Sequence, residues 1–124
     1  MARFVPNKLI ATAASVLPES DQEIMADPEF QKGFLAMVQE ALRQGPRGAL
    51  HESRLASADW GFDPQDIQIP VFLWHGETDR NAPIAMGRYL ANAFPDCKAT
   101  FYPGEGHLSL FKKKVQEIIQ SLID

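Results

Sequence analysis

The sequence predicts an α/β chain, with a helical segment over residues 1–66 followed over 67–124 by a two-stranded parallel β-α-β-α unit. Three observations predict it. Near Asp66 the chain changes from helices punctuated by proline and glycine to alternating strand and helix signals. Val71-Phe-Leu-Trp74 is a short continuous apolar run, the pattern of a parallel strand covered on both faces. Lys98-Ala-Thr-Phe-Tyr102 gives a second strand one helix later, as a parallel crossover requires.

At the N-terminus, Arg3 and Lys8 precede Leu9-Ile-Ala-Thr-Ala-Ala-Ser-Val-Leu17, a loose imitation of a signal peptide. Pro6 between the charges, and the dilution of the run by Thr12 and Ser15, favour a structural helix instead. Ser20-Asp-Gln-Glu23 has capping-box spacing, and Asp27-Pro28 sets a capping carboxylate before a proline at the first helical position. Phe30, Phe34, Met37, Val38, Ala41 and Leu42 then form one apolar stripe, expected to pack into the core, and Gly45-Pro46 stops the helix. A short helix opens at Pro46, with Leu50, Leu55 and Ala58 inward, and ends around Trp60-Gly-Phe62. After the first strand, Pro83 starts a helix in which Met86, Tyr89, Leu90 and Ala93 share a face, ended by Pro95-Asp96. From Leu108 to Ile123 the positions Leu110, Phe111, Val115, Ile118, Ile119 and Leu122 share one face of a last helix.

Composition narrows the function classes. With 124 residues, 45% hydrophobic and 23% charged, the chain suits one modest globular domain. A net charge of -4 with interspersed signs argues against nucleic-acid binding, and the one basic run, Lys112 to Lys114, reads as a solvated helix turn. No stretch approaches the ~20 apolar residues of a membrane span. Cys97 is alone, so no disulfide framework is expected and a reducing cytoplasm is the expected compartment. His51, His75 and His107 lack metal-ligand spacing, and no glycine loop is built to cradle phosphate, so neither metal nor cofactor is expected.

The chemistry lies in Ile69-Pro-Val-Phe-Leu-Trp-His-Gly-Glu-Thr-Asp79 and Pro103-Gly-Glu-Gly-His107. Loops leaving the carboxyl ends of parallel strands form a common crevice, so Asp79 and His107 are expected to meet there across 28 positions of sequence. Glu77 is the fallback acid, but it lies nearer the strand. His75, at a strand end beside Gly76, reads as a packed residue, and His51 as a surface or interface side chain. The six serines (Ser15, Ser20, Ser53, Ser57, Ser109 and Ser121) include none in a G-x-S-x-G elbow. The chain carries an acid and a base without an attacker.

Residues 67 to 123 resemble the C-terminal end of an α/β-hydrolase: Pro70 to Pro83 is similar to the penultimate strand with its acid loop, and Pro103 to His107 to the histidine loop after the last strand. Residues 4 to 66, with Ala26-Asp-Pro-Glu-Phe30, Leu42-Arg-Gln-Gly-Pro-Arg47 and Trp60-Gly-Phe-Asp63, resemble the helical cap inserted before that strand. The early strands, the oxyanion loop and the elbow have no counterpart. The resemblance implies that Asp79 holds Nδ1–H of His107 while Nε2 takes a serine proton and returns it to the leaving group. It implies a C-terminal part of a serine hydrolase of ester or amide bonds, inactive alone, with a small-molecule ester or amide as substrate only once completed. The alternatives are a self-associating structural or interaction module and a half-enzyme completed in trans by an N-terminal partner. The resemblance implies that the strand at 71 to 74 lacks the neighbour it pairs with in the family, so a homodimer or larger assembly is expected, most simply a two-fold with these strands paired antiparallel into one four-stranded sheet or with exchanged cap helices. Phe30, Phe34, Met37 and Trp60 suit an apolar ligand and a plain core equally well, which leaves the substrate open.

Overall fold

In the computed structural model, residues 14–123 are described; most of the signal-like run, up to Ala13, lies outside them. Helix α1 spans Glu19–Ala26, and its N-cap is Pro18, with no side-chain cap. The expected capping box does not form. Pro18 sits where a missing N–H costs nothing, and its carbonyl accepts from Asp21 N and Gln22 N at 3.0 Å each, so Ser20 and Asp21 already lie inside the helix. The Asp-Pro signal does operate: Asp27 caps α2 (Pro28–Ala41) by accepting from Glu29 N at 3.0 Å. Helix α3 spans Arg47–Ala56, and a single 3-10 turn at Pro64–Asp66 leads into the sheet.

Strands β1 (Val71–Gly76) and β2 (Cys97–Tyr102) pair in parallel, from Val71 opposite Cys97 to Gly76 opposite Tyr102. Helix α4 (Ile84–Ala93) joins them and α5 (His107–Ile123) follows β2, giving helices and then a β-α-β-α unit. Each face of the sheet meets one helix. Towards α4, the His75 ring lies against Gly87, and the Arg88 guanidinium stands 6.0 Å from the Phe101 ring centre. On the α5 side, Tyr102 donates to Glu117 Oε1 at 2.6 Å. Helix α1 packs on α5, and α2 packs on α1.

The helical segment departs from the expected packed cap. Among the described residues α3 has no substantial packing partner, and no residue of α2 is fully buried. Met37, Leu42, Leu50 and Leu55 are exposed and Trp60 is 50% exposed, whereas Phe30, Phe34 and Val38 of the stripe are half-buried. The inward faces assigned to the later helices are split in the same way: Met86, Tyr89, Phe111, Ile119 and Leu122 face solvent, whereas Leu90, Val115 and Ile118 are half-buried. Among the described residues, a two-stranded sheet offers little apolar surface for the helices to cover. A periodic stripe shows that a helix has an apolar face, not that the same chain holds its cover.

Candidate active site

The two loops that leave the carboxyl ends of β1 and β2 bring Asp79 and His107 together. His107 Nδ1 lies 2.9 Å from Asp79 Oδ2. A carboxylate only accepts, so in this contact the ring carries its proton on Nδ1. The acid is immobilised by its own turn: Oδ1 accepts from Asn81 N at 2.8 Å and Ala82 N at 2.9 Å, and the Asp79 side chain is only 7% exposed. The His107 side chain is 48% exposed, which leaves the ring open to a reactant. Glu77, the fallback acid, faces Arg88 Nη2 at 3.7 Å instead.

The histidine loop sits on the end of β1 because Gly76 leaves room for it. A Cβ at Gly76 would strike the backbone carbonyls of Glu105 and Gly106. Thr78 fastens the same loop, donating both its N–H, at 3.0 Å, and its hydroxyl, at 2.8 Å, to the Glu105 carbonyl. Gly104 turns with φ 78°, a left-handed conformation that glycine adopts without strain, and so leads the loop into His107.

One residue at this site escaped the sequence reading. Asp21, on α1, is 0% exposed, and its carboxylate accepts from three backbone amides in the first turn of α5. His107 N reaches Oδ2 at 2.9 Å, while Leu108 N and Ser109 N reach Oδ1 at 3.0 and 2.9 Å. Ser109, also 0% exposed, accepts from Gly106 N at 2.8 Å through its hydroxyl. It is therefore part of the loop's internal bonding. Ser53, Ser57 and Ser121 donate to carbonyls of their own helices.

His75 is a packed residue, its Nε2–H donating to the Ala82 carbonyl at 2.8 Å, and His51 is exposed on α3. Burial and the neighbouring Asp96 push the Cys97 thiol up, which keeps it from being a ready nucleophile. Among the described residues no group of three or more histidine, cysteine or acidic side chains is placed to hold a metal, and no helix is long and apolar enough to cross a membrane. A cleft of about 320 Å³ opens beside the pair, lined by Trp74, His75, Asp79, His107, Leu110 and Ile118 among others. Comparison with family models, curated proteins and solved structures found no match.

Proposed function

We propose that Asp79 and His107 are the acid and base of a serine hydrolase acting on ester or amide bonds, with the nucleophile supplied from outside these 124 residues. The observation that carries this reading is the 2.9 Å contact from His107 Nδ1 to Asp79 Oδ2 between loops at the ends of two parallel strands. In the reaction Asp79 holds the ring in one tautomer and supports the imidazolium that forms. Nε2 takes the proton of an attacking serine hydroxyl and later delivers it to the leaving alcohol or amine. The largely apolar cleft beside the pair supports an acyl or leaving group of modest size. The resemblance of both loops to α/β-hydrolase segments, in the order acid then base, supports the same roles.

The isolated chain lacks the attacker, whose loss alone costs a triad enzyme a factor on the order of 10⁶ in rate. It is expected to resist labelling by a fluorophosphonate probe and to hydrolyse a short p-nitrophenyl ester no faster than His107→Ala. Co-expression with a chain carrying early strands and a G-x-S-x-G elbow is expected to give a labelled complex whose ester hydrolysis is lost with His107→Ala. Stoichiometric labelling of any serine in the isolated chain overturns the proposal, as does hydrolysis by the complex that survives His107→Ala.

A second reading, a self-associating or complement-binding module, is favoured by the outer edge of β1, which has no strand beside it among the described residues. A homodimer through that edge and the exposed apolar helix faces belongs to this reading. The lone thiol of Cys97 suits a reducing, cytoplasmic setting in either case.

A further inference from the structure

We infer that Asp21 is a positioning residue for His107, and that α1 thereby sets the ring orientation on which the pair depends. The first amides of a helix have no carbonyl behind them and need an outside acceptor. In α5 the preceding residue is Gly106, which has no side chain to cap with. Asp21 supplies the acceptor from across the fold, with a negative charge at the positive end of the helix dipole. Its seat is tight, because a Cβ on Gly106 would lie 2.5 Å from the carboxylate atoms.

The division of labour between its two oxygens ties it to His107 in particular. Oδ1 serves Leu108 and Ser109, whereas Oδ2 serves His107 N alone. The opposite partner cannot compensate for movement, since Asp79 Oδ1 is occupied by the Asn81 and Ala82 amides and its carboxylate cannot follow a shifted ring. With the His107 backbone held by Asp21, only the two side-chain torsions remain, and Asp79 Oδ2 lies within their reach. The inference stands on this contact and not on any reaction, so failure of the hydrolase reading leaves it intact.

Asp21→Asn separates the two oxygens chemically. Its amide oxygen can keep Leu108 and Ser109, but its NH₂ then faces the His107 N–H, donor against donor. Nitrogen NMR of the neutral imidazoles, with exposed His51 as internal reference, is expected to show His107 held with its proton on Nδ1 in the wild type. In Asp21→Asn the tautomer ratio is expected to shift to that of His51, with β1 and β2 amide resonances unmoved. In the wild type, exchange at the 107, 108 and 109 amides is expected to be slowed by about tenfold to a hundredfold relative to a free chain, the range for bonds to a charged acceptor. An unchanged His107 tautomer in folded Asp21→Asn overturns the inference, as does a wild-type tautomer already equal to that of His51. Should Asp21→Asn fail to fold, the wild-type exchange decides: free-chain rates at those amides overturn it, and protection supports it.

Discussion

Gly76 occupies a place where a single methyl group has no room. The atoms that meet it are backbone carbonyls of Glu105 and Gly106, which cannot swing aside as a side-chain tip can. Gly76→Ala is therefore expected to cost about 1–3 kcal/mol in urea unfolding, the usual range for overpacking. Gly33 is the control, since a Cβ there meets nothing within 4 Å on α2, and Gly33→Ala is expected to gain about 0.5–1 kcal/mol. Equal effects of the two substitutions would mean that the histidine loop does not rest on β1. Asp79 and His107 were legible in the sequence because each follows a strand signal in the loop that leaves it and carries its chemistry in its side chain. Asp21 was not, because its partners are backbone amides 86 to 88 residues away, and amides belong to every residue type alike. The nearby Ser20-x-x-Glu23 spacing pointed to a local cap, yet Ser20 Oγ is buried with no hydrogen-bond partner among the described residues.

At the level of elements, β2 and α5 are joined by a bond with a spectroscopic signature. The hydrogen bond from Tyr102 to Glu117, helped by burial, pushes the Tyr102 hydroxyl up to about 12. That bond, with Lys114 as a second partner, holds the Glu117 carboxyl below its ordinary value. The stabilisation from Tyr102 is thus fully present below its ordinary value of 10 and lost as pH rises through about 12. That from Glu117 is present above the ordinary carboxylate value and lost as pH falls through its lowered one. An ultraviolet titration is expected to resolve a tyrosinate forming near 12, moving down in Glu117→Gln; a Tyr102 that titrates at the same pH in both proteins would contradict the bond. Strand order and helix order were readable from Val71 to Ile123 because apolar runs and stripes record local periodicity. The placement of α2 and α3 was not, since a stripe is silent about what covers it. Met37→Ala, at a position 58% exposed, is expected to change the stability of the monomer by no more than about 0.5 kcal/mol. A larger loss at high protein concentration alone would locate the missing cover in a second copy.

For the molecule as a whole, large apolar side chains from Val16 to Ile123 stand exposed, whereas Met25 is the one fully buried hydrophobic side chain among the described residues. Light scattering at micromolar concentration is expected to give at least twice the 13.8 kDa chain mass. A stable monomer with cooperative unfolding would remove the self-associating reading and leave the complement-binding one. The clasp formed by Asp21 also has a temporal side. Its helix is made early, whereas the amides it holds are added 86 to 88 residues later. The Asp21 carboxylate is therefore made long before the amides it holds, and α5 must form before that long loop can close. A chain that stopped at Leu108 would have both strands, Asp79 and His107, but not the helix whose first turn the Asp21 carboxylate caps.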